Sequence, residues 1–492
     1  MTSFKSPSLV DIVEQSEVGV EITPSENVDA QFGGREARQR LERKLVRKVD
    51  IRMSILIVIY ILNYMDRNNI GAARLRGFEN DLGLKGQEFA TLLSILYVGY
   101  MIMQVPSNMF LNHIGKPSIY LPACMIIWGV ISILTGITKD FTGALLTRFF
   151  LGFVEAAFFP GALFLLSKWY TRGELGTRIA LLYCGNIISN AFGALMASGI
   201  LDGMDGKLGR AAWRWLFYIE GALTVFVAIC AIFILPDFPT TTRWLSDEER
   251  KLAMRRMEED AGVGDEGETE PEAGGGGHMA GLRLAVRDGK VWWMALAMTS
   301  FTVALSFNAY FPTLSETMGF GPTVTLLLCA PPFVFAAIVT YAVSRHSDAT
   351  GERFYHTTMP IFIGIVGFVI AICTMNTAAR YVSLFLMAQS YAGYVVLFTW
   401  ISNSFPRPPS KRAVALAFIN AFSEFGDVAG SYVWPRPWGP TYRKSYAICI
   451  ATAGCTIVMC YIFKLHLEHL NQELDKEEAQ KGMKGKGFRY LT

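Results

Sequence analysis

The chain has 492 residues, of which 52% are hydrophobic and only 18% charged, and its formal net charge is +3. Soluble globular proteins carry about 25% charged residues, whereas here apolar stretches of bilayer-crossing length, about 17–25 residues, recur from end to end. This excludes a string of soluble domains and predicts an all-α polytopic membrane protein whose surroundings are the lipid bilayer. With no basic stripe interleaved with aromatics, no nucleic acid is expected as a partner.

Residues 1–49 are polar and mixed in charge and are expected to form a disordered tail without an apolar signal segment. The first span is then expected to act as its own uncleaved targeting signal. Twelve spans are expected, at 51–76, 87–111, 118–137, 142–166, 176–201, 213–236, 291–316, 322–345, 356–375, 379–402, 412–434 and 444–465. The expected organisation is a six-helix bundle over 50–236, a central loop over 237–290, a second six-helix bundle over 291–466 and a tail over 467–492. All eight cysteines fall inside apolar stretches, a distribution that predicts neither a disulfide framework nor a zinc site. No cofactor or metal is expected.

Within the central loop, Ser246 followed three residues later by Glu249 has the form of a capping box and predicts a short helix. The acidic, glycine-rich run "AGVGDEGETEPEAGGGGHMAG" after it reads as a linker. No G-x-x-x-x-G-K-[ST] occurs, so the glycines do not point to ATP-driven transport. Arg35, Arg38, Arg40, Arg43, Lys44, Arg47, Lys48 and Arg52 crowd before the first span, which places both termini in the cytosol. Plasma membrane is the expected residence. Trp169, Trp213 and Trp438 are expected in the interfacial belts.

Charges within the spans carry the functional reading, because they are costly in hydrocarbon and mark interiors or cavities. In "LNYMDRNNIG", Asp66 and Arg67 are adjacent and so point about 100° apart on a helix, one toward a cavity and the other toward packed neighbours. Counting helical rise places Asp66 about 20–24 Å along the first span. Asn63 adds hydrogen-bonding capacity one turn earlier. Arg67 offers a fork that matches a carboxylate, and Arg148 and Glu155 lie in span 4. Glu424 and Asp427, at i and i+3 in span 11, share a face. They are read as altering proton stoichiometry, accepting a cationic group on a substrate, or pairing with Arg436. Asn308, Tyr310, Tyr391, Trp400 and Asn420 are softer substrate-binding candidates; the alternative for each is helix packing. A charge network locking spans 1 and 4 is the alternative for Asp66, Arg67, Arg148 and Glu155.

The run "LLTRFFLGFVEAAFFPGALFLLSKWYTRGELGTRIA" resembles the fourth-helix signature of the major facilitator superfamily, through Arg148, Gly152, Pro160 and Trp169. The loop "SRHSDATGERFYH", with Asp348, Gly351 and Arg353, resembles that superfamily's gating loop; its first-half counterpart, "LNHIGKPSIYLP", is degenerate. "QVPSNMFL", "WRWLFYIEG", "FPTTTRWLSDEE" and "GSYVWP" further resemble the fungal allantoate permease family of anion:cation symporters. The resemblance implies two pseudo-symmetric six-helix bundles, alternating access, and a small organic anion moving with protons. It implies proton coupling at Asp66, Glu155 and Arg148, substrate binding at Arg67 and conformational gating at Asp348, Gly351 and Arg353. A monomer is expected. Export by proton antiport and a non-transporting sensor are the rival functions; no G-x-S-x-G or H-E-x-x-H points to an enzyme.

Overall fold

The computed structural model describes residues 32–242, 244–262, 283–405, 409–480 and 489–492. Twelve long helical units are present among them: α1 Arg35–Arg74, α2 Glu88–Ile114, α3 Pro117–Thr135, α4 Phe141–Trp169, α5 Arg172–Gly203, α6 Ala212–Ile234, α7 Gly289–Glu316, α8 Pro322–Thr350, α9 Phe354–Cys373, α10 Thr377–Ser404, α11 Pro409–Ser431 and α12 Arg443–Gln480. Nine helices among the described residues are long and apolar enough to cross a membrane. The three that do not qualify are α1, α2 and α11. Two of these, α1 and α11, carry Asp66, Arg67, Glu424 and Asp427, so the lapse in apolarity falls where side chains face a cavity or the packed protein interior rather than lipid.

Three units are interrupted, two of them, α4 and α7, where a proline withdraws a backbone donor. Pro160 opens α4 between Phe141–Glu155 and Phe158–Trp169, directly after Glu155. Pro312 accompanies a tighter 3₁₀ turn over Ser306–Tyr310 in α7. In α10 the break falls at Gln389 and Ser390, where Gln389 donates through Nε2 to the Pro360 carbonyl at 2.8 Å.

Helices pack closely through small residues. A Cβ on Gly152 of α4 would lie 2.0 Å from the Leu96 carbonyl oxygen of α2, and one on Gly99 would lie 2.3 Å from that of Phe149. Between the bundles, α5 packs on α8 and α2 on α11.

The first helix starts at Arg35, so residues 35–49 are not the tail expected there. The reason is electrostatic. A connector helix, Asp247–Gly262, lies alongside, and Arg38 pairs with Glu259, Lys48 with Glu249, and Arg256 with Glu42 at 2.5 Å and Glu174 at 2.6 Å. At the connector's start the Ser246 N–H donates to Glu249, and the Glu249 N–H donates to the Ser246 hydroxyl, both at 3.2 Å. Ala261 and Gly262 extend this helix rather than beginning the linker; residues 1–31 and 263–282 lie outside the described residues. At the other end α12 continues to Gln480, well past the expected boundary near 465.

Two tryptophans also depart from expectation. Trp169 is buried, stacked on Trp244 with centroids 5.7 Å apart, and donates to the Asp237 carbonyl at 3.0 Å. Trp213 is buried and donates to Asp81 at 2.8 Å. Each indole N–H finds its partner within the protein, so neither ring serves as a headgroup anchor.

Candidate functional site

Between the bundles lies a cavity of about 1000 Å³, counting the part open to solvent. From α1 it receives Asn63 and Arg67, and from α7 Asn308; α10 supplies Tyr391, and α11 supplies Asn420, Glu424 and Asp427. These are seven of the nine residues expected to bind substrate. Tyr310 and Trp400 are corrections. The 3₁₀ turn swings Tyr310 against α11, where its hydroxyl donates to the Ser431 carbonyl at 2.6 Å and its ring stacks on Trp434. Trp400 lies nine residues beyond Tyr391, about 180° around the helix. It is fully buried between Phe354 and Phe463 and donates to the Leu491 carbonyl at 2.8 Å.

Asp66 and Arg67 diverge as adjacent helical residues must. Arg67 turns to the cavity and donates from Nε and Nη2 to Glu155 Oε2, both at 3.1 Å. Its guanidinium also lies 4.9 Å from the ring centroids of Tyr64 and Tyr100. Asp66 faces the opposite way, only 1% exposed, and accepts from the Ser132 hydroxyl of α3 at 2.9 Å and the Thr224 hydroxyl of α6 at 2.8 Å. Arg148 forms no ion pair with either acid among the described residues. Instead it donates to the backbone carbonyls of Arg67 at 2.8 Å and of Leu92 and Asp66, each at 3.5 Å. It therefore clamps α1 and α2 to α4. The four charges do not form one network; they divide into an ion pair, an acid held by hydroxyls and a backbone clamp.

Glu424 and Asp427 border the cavity from the second bundle, and no ion pair to either carboxylate is present among the described residues. The expected partner Arg436 is elsewhere, on Glu79 at 3.2 Å. In the loop after α8, Arg353 donates to Asp348 at 2.7 Å and to the Ser347 hydroxyl at 2.8 Å. Gly351 there has φ 69°, a left-handed turn that favours glycine. The Arg353 contacts stay within the second bundle.

Sequence reasoning did not single out two features. One is a tyrosine wall, with Tyr60 and Tyr64 at i and i+4, Tyr97 and Tyr100 at i and i+3, and Tyr183 and Tyr394 beside them. That spacing, one face of each helix, was its available signal. The other is Glu220 on α6, one turn before Thr224, buried to 1% exposure with neither carboxyl oxygen hydrogen-bonded among the described residues. It is a lone acid in an apolar run.

The comparisons agree with this architecture. A sequence model of the Major Facilitator Superfamily matches residues 56–431. An MFS-type transporter of Penicillium expansum, cnsO, is 31% identical over 433 residues, which is 85% of this chain and 81% of that protein. A putative tartrate transporter of Agrobacterium vitis is 32% identical over 333 residues, covering 67% of this chain and 71% of its own. Among solved structures, a D-xylose–proton symporter superposes with a TM-score of 0.64 at 13% identity, over 84% of this chain and 97% of that one. A bacterial homolog of the human lysosomal transporter Spinster does so with a TM-score of 0.60 at 16% identity, over 84% and 95%. The chain belongs to the major facilitator superfamily.

Proposed function

We propose that this transporter moves a small organic carboxylate together with protons, by rocking its two bundles about the central cavity. The observation that carries the reading is the Arg67–Glu155 ion pair in the cavity wall. An incoming carboxylate competes with Glu155 for the same guanidinium fork. Once displaced, Glu155 loses its counter-charge, and taking up a proton removes the cost of leaving it bare in a dry site. The bundles then close on neutralised groups. Asp66, held by Ser132 and Thr224 behind Arg67, is the second proton carrier, and Arg148 keeps the backbone that presents both in place.

The name of the tartrate transporter relative and the resemblance to the allantoate permease family support an organic acid as cargo. The basic strip at the start of α1 supports placing both termini in the cytosol, and the plasma membrane is the membrane we assign. Uptake of labelled small carboxylates by yeast expressing the chain, at acid and neutral pH with and without a protonophore, tests the reading. Acid-stimulated, protonophore-sensitive uptake that is lost in Arg67→Ala and Glu155→Gln is the expected result. If acidification leaves uptake flat and both variants match the parent, symport falls and export by proton antiport takes its place.

A further inference from the structure

Resting on the reading of this cavity as the substrate site, we infer that the cargo is zwitterionic: a carboxylate joined through a small apolar or ring body to a cationic nitrogen. Charge balance in the wall is the first argument. The one guanidinium that borders the cavity among the described residues, Arg67, is already matched by Glu155. On the facing wall Glu424 and Asp427, three residues apart on one face of α11, enter the same space with no ion pair among the described residues. A simple anion would add a further negative charge to this arrangement. A ligand that brings its own cation to the α11 side and its carboxylate to Arg67 gives both walls a counter-charge, with one cation shared between Glu424 and Asp427 and Glu155 neutralised by the proton it takes up.

The second argument is independent of the acids. Tyrosine rings line the space between the two walls, and aromatic faces attract cations, most strongly where water is excluded. Polar groups there await a partner. Tyr100 and Tyr183 are 5% and 8% exposed, and neither hydroxyl has a hydrogen-bond partner among the described residues. The Asn63 side-chain amide nitrogen, in a residue 3% exposed, also lacks one. A buried polar group without a partner is costly, which applies to the Asn63 amide nitrogen, while the two hydroxyls border the open cavity. The amide donor sits one helical turn before Arg67, in the same wall of the cavity.

Three probes of one size and different charge test this on the purified full chain: 4-(aminomethyl)benzoate, 4-methylbenzoate and 4-methylbenzylamine. Ligands that bind the native state raise its melting temperature. The zwitterion is expected to bind at least about tenfold more tightly than either singly charged probe, a difference of about 1.4 kcal/mol. Glu424→Gln with Asp427→Asn is expected to remove that preference and leave 4-methylbenzoate the better ligand. A parent chain that prefers 4-methylbenzoate, or that responds to none of the three, overturns the inference. So does a zwitterion preference that survives in the double variant. If the zwitterion preference holds while acidification drives no uptake, it is the symport reading that fails. Acid-driven uptake confined to simple carboxylates sinks the zwitterion and leaves symport standing.

Discussion

Arg67 has two different duties, and they separate by substitution. Its fork holds Glu155 at rest and is proposed to hold the cargo in transport. Arg67→Lys keeps the charge but not the planar fork; it is expected to raise the KM for uptake by about tenfold or more, read from concentration-dependent uptake. Glu155→Gln should instead keep ligand binding and abolish the acid stimulation of uptake, which the ratio of rates at acid and neutral pH reports. Asp66 depends on its two hydroxyl donors. Thr224→Val removes one and leaves a buried carboxylate oxygen without its bond, expected to cost about 1–3 kcal/mol and to lower the melting temperature of the purified protein. The acids and Arg67 were legible in the sequence because a charge inside an apolar run has few uses. Glu220 carries the same signal. The tyrosines do not, since tyrosine is equally at home in a core or at a membrane interface, and only the packing of α1, α2, α5 and α10 shows that they converge. Tyr310 was misplaced for a local reason: a helical count cannot see the 3₁₀ turn at Ser306–Tyr310, which shifts the register of the residues beyond it. Trp400 was misplaced although a count from Tyr391 within one helix already puts it on the opposite face.

At the scale of elements, the strip of basic residues before the first span, read from the sequence as a topological signal, is a docking surface for the connector helix. Single-residue charge counts do not reveal a partner 200 residues away. The Glu249 carboxyl shows the contact at work. Burial pushes it up, but the hydrogen bond from Lys48 and the Ser246 N–H outweigh this and hold it below the ordinary glutamate range. A carboxyl depressed on docking contributes stability at neutral pH, and that contribution is lost as pH falls below about 4 toward the depressed value. Hydrogen exchange of the connector helix should therefore accelerate at acid pH, and Glu249→Gln should remove the pH dependence of that change. Close helix crossings make a second demand. Because a Cβ on Gly152 would overlap the Leu96 carbonyl, Gly152→Ala is expected to cost about 1–3 kcal/mol through overpacking, seen as a lower melting temperature with the parent's helix content.

The count of six spans on either side of a central loop was legible from hydropathy and their duplication from the family resemblance, but the state in which the two bundles meet was not, because it depends on contacts between residues hundreds apart. Every hydrogen bond between the bundles among the described residues lies on the side away from the termini. There Tyr432 meets Thr91 and Ser94 at 3.1 and 3.2 Å, Arg76 donates to the Thr323 hydroxyl at 3.1 Å, and that hydroxyl donates to Asp202 at 3.1 Å. On the terminal side the bundles meet through apolar and ring contacts such as Tyr183 on Phe398, 5.6 Å between centroids, without a hydrogen bond among the described residues. Polar contacts that form on one side must break when the cavity opens there, so they set the balance between the two states. Tyr432→Phe with Thr323→Val removes the four bonds named while keeping shape, and leaves the Arg436–Glu79 contact and the Ser198 hydroxyl's bond to the Thr323 carbonyl in place. At about 0.5–1.5 kcal/mol net for each of these four bonds, the loss is about 2–6 kcal/mol, or about thirtyfold or more in the ratio of states. An Asn186→Cys reporter in the cavity wall, on a background without the native cysteines, should then react faster with an impermeant thiol reagent added on the side away from the termini. Phe398→Ala should speed the same reaction from the terminal side instead. Equal rates from both sides in all three proteins would mean that these contacts hold helices together without governing which way the cavity opens.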